Sequence, residues 1–189
     1  MTASAITLAP SDVADLERSP PTAPSGLAGL VQPHALRLGV IRPTLTYLGV
    51  ESDDAERLLL GTLLCLGGLP QARQPRQGLG PYAISEALHT RLWDEHLAHH
   101  PDKASLLRGL ASQRCFLRDP HAELGFNLAY ATAMAWLVYE TQGVRLGTGA
   151  SIGTLARIWQ LAYPHRSGRA SDFVKAWMQA HPMGDVISA

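Results

Sequence analysis

Hydrophobic positions recur along this chain at helical spacing, and no stretch alternates convincingly in the manner of a strand. "ALRLGVIRPTLTYLG", from Ala35, places apolar side chains at Leu36, Leu38, Val40, Ile41, Leu45 and Leu48, with Pro43 expected to kink or restart the helix. Ser52 is a good N-cap for a second helix, and Asp53 and Asp54 in its first turn suit the positive end of the helix dipole. That helix, "ERLLLGTLLCLGGLPQ" over Glu56–Gln71, has Thr62 as its one strongly polar side chain between Leu58 and Leu69, and stops at Gly67–Gly68. The following loop, "LPQARQPRQGLGPY", is rich in proline and glycine and leaves room for a small hairpin within 68–84.

Ser85 is placed to cap "EALHTRLWDEHLAHH", whose Leu88, Leu92, Trp93 and Leu97 form an apolar stripe that Pro101 should end. "KASLLRGLASQ" predicts a shorter helix. "HAELGFNLAYATAMAWLVYETQG" is apolar on nearly all sides and reads as the central helix, closed by Gly143. "SIGTLARIWQLAY" and "SDFVKAWMQAH" follow, the latter with Ser171 as expected cap. Trp93, Trp136, Trp159 and Trp177 fall at apolar-face positions and read as core. The fold class predicted is all-α, with about seven helices.

Residues 1–34 differ from 35–189. The first segment is rich in Ala, Ser, Thr and Pro, with Pro20, Pro21 and Pro24 close together, and reads as an extended or flexible arm. Its scattered Ile6, Leu8, Leu27 and Leu30 would anchor it to a neighbouring subunit. The 189 residues suit one domain with its own core. A formal net charge of +0 and dispersed basic residues, among them Arg108, Arg114 and Arg169, give no field for nucleic acid. The start of the chain lacks the basic-then-apolar order of a secretory signal, and the longest apolar region, Phe126–Tyr139, falls short of the ~20 residues a membrane helix needs, so no membrane anchor is expected. Cys65 and Cys115 lie in apolar surroundings without ligand spacing and read as small buried hydrophobes.

The histidines raise a metal reading. His96 and His100 stand at i, i+4, and His89, seven residues before His96, faces roughly the same side. The run lacks the order in which a glutamate follows the first histidine, and a solvated helix end is the simpler account, with no metal or cofactor expected.

Several segments carry a resemblance. "VIRPTL" at Val40–Leu45, "LLLGTLLCLGGL" at Leu58–Leu69, "GPYAISEALHTRLW" at Gly80–Trp93, "NLAYATA" at Asn127–Ala133 and "TLARIWQLAYPHRSGRASDF" at Thr154–Phe173 follow, in order, the pattern of phage-encoded lysozyme-like proteins related to the lytic transglycosylase superfamily. The chain resembles that group over about residues 36–180, leaving out the arm. The resemblance implies a lysozyme-like helical domain and a peptidoglycan cleft. It also implies a general-acid glutamate, which must be held protonated near neutrality to protonate a glycosidic oxygen.

This chain departs from the pattern where the chemistry lies. The glutamate position is Leu66, the glutamine of the following loop is Ala83, the next glutamate is Ser85, and a late asparagine is Pro164. No Asp or Glu occurs between Glu56 and Glu86. Glu56 opens the same helix, about 15 Å upstream of Leu66. Glu86 sits in a first helical turn, where carboxylates are favoured without catalysis. The expectation is a non-catalytic structural protein of a tailed phage or phage-like virion, in the tail, hub or neck. It would bind other virion proteins in a symmetric assembly, with Leu66 near the floor of a closed or shallow cleft against the 79–84 loop. The alternatives are an active peptidoglycan hydrolase with Glu86 or Glu123 as relocated acid, and a non-catalytic glycan-binding module.

Overall fold

A computed structural model describes residues 32–67, 78–165 and 167–181, and these are all-α. Nearly all of the expected arm, and residues 68–77 of the long loop, lie outside the described residues. A first helix α1 (Pro33–Leu36) passes through a π turn (Arg37–Ile41) into α2 (Arg42–Tyr47). Pro43 has no N–H and its ring presses on the preceding turn, so the chain widens just before it and continues. The helix begins at Pro33, two residues before the expected start, with the proline in the first turn where its missing N–H costs nothing.

Helix α3 (Asp53–Gly67) starts as expected, with the Ser52 hydroxyl accepting the Ala55 N–H at 3.2 Å. Its first turn is fixed from outside. Glu56, only 7% exposed, accepts from Arg37 Nε at 2.8 Å and from Arg42 Nε and Nη2 at 2.8 and 2.9 Å. Arg37 also pairs with Asp53. Burial pushes the Glu56 carboxyl pKa up, but the hydrogen bonds and charges of Arg42 and Arg37 together outweigh it and hold it below the usual range. Asp54 accepts from the Ala150 N–H at 2.8 Å while Arg57 donates to the Ala150 carbonyl at 2.9 Å, tying the loop before the next-to-last helix to α3.

Helix α4 (Glu86–Arg91) is capped by Ser85, whose hydroxyl accepts the Leu88 N–H at 3.2 Å. It then loosens into a π segment (Leu92–His96) and a 3₁₀ turn (Leu97–His99). Pro101 does end this run, and it also opens α5 (Pro101–Leu110), two residues before the expected helix. The long central helix predicted over 121–143 is interrupted: α7 (Glu123–Phe126) follows the short α6 (Gln113–Phe116), and α8 (Leu128–Thr141) starts anew. Asn127 makes the break, leaving helical backbone geometry so that its side chain can accept the Tyr130 N–H at 3.1 Å.

Helices α9 (Ile152–Ala162) and α10 (Ala170–Ala180) complete the fold. Ser171 is not the cap of α10. It is exposed inside the first turn, and the chain start is held by Asp172, which accepts the Arg169 N–H at 2.9 Å. Helix α10 packs on α3 and α9, and α8 is surrounded by α2, α3, α5, α7 and both π segments. At Gly61 a Cβ would lie 2.0 Å from the Phe173 ring, so the ring rests on the α3 backbone. Trp159 is fully buried, while Trp93, Trp136 and Trp177 are half-buried against the core.

Among the described residues there is no strand, and the described part of the loop that left room for a small hairpin, residues 78–84, holds one antiparallel bridge. Leu79 and Ile84 exchange hydrogen bonds at 2.7 and 3.2 Å around a tight turn. Gly80 makes that turn possible: its φ is +66°, and a Cβ there would lie 1.8 Å from the Leu124 carbonyl oxygen. Gly80→Ala should therefore lower unfolding free energy in urea by about 2 kcal/mol or more. Gly147→Ala, with nothing within 4 Å of its added methyl, should stay within about 0.5 kcal/mol of the parent. Equal stabilities would refute this account of the turn.

Candidate functional site

Beneath the positions where the resemblance places cleft chemistry lies a buried set of tyrosines and threonines. Tyr82, Tyr139 and Tyr163 are 0–3% exposed, and Thr62 and Thr132 are fully buried. The Thr62 hydroxyl gives its proton to the Leu58 carbonyl at 2.7 Å, so the Tyr139 hydroxyl, 2.6 Å away, must donate to Thr62. Thr132 meets the Tyr82 hydroxyl at 3.2 Å, and Tyr163 donates to the Tyr82 carbonyl at 2.8 Å. The Tyr139 and Tyr163 rings lie 5.2 Å apart. Burial pushes all three phenol pKa values far up, so these groups stay neutral donors and acceptors. Cys65 borders this region as a free thiol, raised to about 12 by burial and then by the Asp172 charge.

The four departed positions are spread around this filled interior. Leu66 is half-buried near the end of α3 and packs on the core. Ala83 closes the Gly80 turn with φ +50°, an unusual backbone for a side chain with a Cβ. Ser85 caps α4. Pro164 is exposed directly after Tyr163. Tyr163 brings Pro164 to the Tyr82 turn, and Tyr139 links that pair to α3. A cavity of about 630 Å³ does open beside Pro164, between α4 with its π segment and the ends of α8 and α9. Of the four positions only Pro164 lines it, and Leu66 does not form its floor.

The candidate acids are placed as follows. Glu86 is exposed in the first turn of α4. Glu123 is fully buried and already engaged: it accepts the Ser112 N–H at 3.1 Å and the Asn127 side-chain amide at 2.8 Å. Asn127 also donates to the Leu110 carbonyl at 2.9 Å, so this carboxylate holds the α7–α8 break. Glu95, exposed on the cavity rim with Arg91, was not singled out from the sequence, because nothing in a polar helix face distinguishes it before the fold is known.

The histidines separate. His96 and His100 stay together, rings 4.6 Å apart, but His89 turns inward to 1% exposure. The intervening π segment under-winds the helix and takes His96 off the His89 face. His89 joins a second buried network. Trp93 Nε1 donates to the Tyr130 oxygen at 3.0 Å and reaches His89 Nε2 at 3.3 Å, and the Tyr130 hydroxyl and His89 Nε2 share a hydrogen bond at 2.6 Å. His89 Nδ1 and His121 Nδ1 share a further hydrogen bond at 2.9 Å. Burial, then the neighbouring His121, lowers the His89 pKa to about 4 against the favourable Asp119 charge. Among the described residues, no three His, Cys, Asp or Glu side chains group to hold a metal, and no helix is long and apolar enough to cross a membrane.

No protein-family description, curated protein or solved structure matches this chain.

The His89 network has a pH signature. The unfolded chain takes up a proton near the ordinary value of 6.5, whereas the folded chain does not until about 4. Between those values the unfolded state binds more protons, so stability falls as pH drops through that window and is flat above it. The loss attributable to His89 is about 3 kcal/mol at the acid end. Urea denaturation of the parent and of His89→Gln from pH 7 to pH 4 should show the steeper acid loss in the parent. Parallel curves would contradict a buried, neutral His89.

Proposed function

We propose that this chain is a non-catalytic structural protein of a tailed phage or phage-like virion, a tail, hub or neck component on a degenerate lysozyme-like fold. Its partners in that role are other virion proteins. The observation that carries the non-catalytic part is the state of the carboxylates. Leu66, where a general acid belongs, has no transferable proton, and the region between α3, the Tyr82 turn and Tyr163 is packed with neutral tyrosines. Glu56 is committed to Arg37 and Arg42, and Glu123 to Ser112 and Asn127. Glu86 is solvent-exposed in the first turn of α4, where a carboxylate suits the helix dipole without any catalytic part. The virion part rests on the sequence resemblance, above all "VIRPTL" and "NLAYATA".

The cavity beside Pro164 favours one second reading, a glycan-binding module that no longer cleaves. Retention of the folded protein on purified sacculi, without release of soluble products, would support that reading over a purely structural role.

Turbidity of a peptidoglycan suspension should not fall on addition of the purified chain. Leu66→Glu alone should not restore lysis, because general acid catalysis accounts for only ~10²–10⁴-fold and the other cleft groups are also missing. Lysis by the parent that disappears in Glu86→Gln would overturn the proposal.

A further inference from the structure

Between α5 and α7 the chain runs as a strap, Gln113–Ala122, over the His89 network. Every side chain from Ser112 to Ala122 is half-buried or exposed, and Leu117 is 86% exposed. Two contacts hold the middle of the strap down. Phe116 lies against the rings of Trp93 and Tyr130, with centroids 5.5 and 6.2 Å apart, and His121 Nδ1 shares its hydrogen bond with His89 Nδ1 at 2.9 Å. The two ends are fixed separately. The buried Glu123 carboxylate accepts the Ser112 N–H at 3.1 Å, and Asn127 ties Glu123 to the Leu110 carbonyl. A segment with pinned ends and little buried surface can lift while the helices beneath it stay folded.

The His89–His121 contact is the one that protons can switch. Two imidazole nitrogens share a hydrogen bond only while one of them is bare, so this contact tolerates at most one cationic ring. With both rings cationic, both Nδ1 atoms carry hydrogen, and two donors and two positive charges face each other. Asp119 favours charge on His89, but its carboxylate accepts the backbone N–H groups of His121 and Ala122 at 3.0 and 3.2 Å. The other groups around the pair are the Tyr130 phenol from α8, Glu123 from α7 beyond it, and the Arg108 guanidinium from α5, 5.2 Å from the Trp93 ring. Among the described residues, no carboxylate accepts a hydrogen bond from either ring. We propose that the strap is an acid-released flap: a second proton on the His89–His121 pair breaks its latch, Gln113–Ala122 lifts, and the Trp93 and Tyr130 rings beneath it open to contact. The buried member of the pair resists its proton until about pH 4, which puts the release at the acid end. The device belongs to the chain alone and does not rest on the virion role.

Hydrogen exchange of the full chain, followed by mass spectrometry from pH 6.5 to pH 4 and corrected for the intrinsic pH dependence of amide exchange, tests the latch. Protection of peptides within 113–122 should fall by at least about tenfold over that range, since the released pair binds more protons than the latched one, while α8 keeps its protection. His121→Gln leaves His89 a partner that can donate or accept without a second titrating ring, so protection of its strap should change by less than about threefold. His89→Gln should behave alike and serves if His121→Gln does not fold, which circular dichroism checks. An unchanged strap in the parent would overturn the proposal. So would α8 losing protection together with the strap, or an equal fall in His121→Gln.

Discussion

Helix α8 is buried on nearly every side, yet it carries the hydroxyls of Tyr130, Thr132 and Tyr139 into the interior. A buried hydroxyl without a partner costs about 1–3 kcal/mol, so three of them on one helix demand three particular neighbours. Tyr130 takes His89 and Trp93 from α4 and its π segment. Thr132 takes Tyr82 from the Gly80 turn, and Tyr139 takes Thr62 from α3. An apolar core of similar volume could tolerate sliding of these elements past one another. Fully satisfied polar contacts cannot, because a shift of one turn would orphan several groups together. The register of the fold is set on α8.

The same requirement shapes the region where the resemblance expects a cleft. Polar groups there, the phenols and threonines, are spent on internal pairing. A phenol in this setting stays neutral, stacks on its neighbours and fills volume. The acids that remain serve structure: Glu56 gathers two arginines at the start of α3, and Glu123 secures the break before α8. Leu66, Ala83, Ser85 and Pro164 each have an ordinary structural part in this arrangement, as core contact, turn, helix cap and corner. The open space lies to one side of them, next to Pro164, and its exposed charges and leucine belong to the surface.

Much of the fold was legible in the sequence, because helix periodicity and caps are local. The Ser52 and Ser85 caps, the end at Pro101 and the burial of the 128–141 segment all follow from side chains acting within a turn or two. What was not legible depends on partners distant in sequence. Asn127 looks like one polar residue inside an apolar run until Glu123 and Leu110 are seen to hold it out of the helix. Ser171 has the chemistry of a cap, but Asp172 and Arg169 close the helix start two residues earlier. The two π segments, which answer Pro43 and turn His89 away from His96, leave no periodic signal over so few residues. The cavity lined by Arg91, Glu95 and Leu161 is assembled from α4, its π segment and α9, and none of these segments alone marks it.

The role we propose for this chain is a non-catalytic place in a phage-like particle, on a lysozyme-like layout. Quantitative mass spectrometry of phage or phage-like particles, purified from cells that produce the chain, tests this most directly. The account predicts the chain in every particle preparation at a fixed, integral ratio to the tail or neck proteins. Its absence from particles that are otherwise complete, or a variable trace amount, would contradict it.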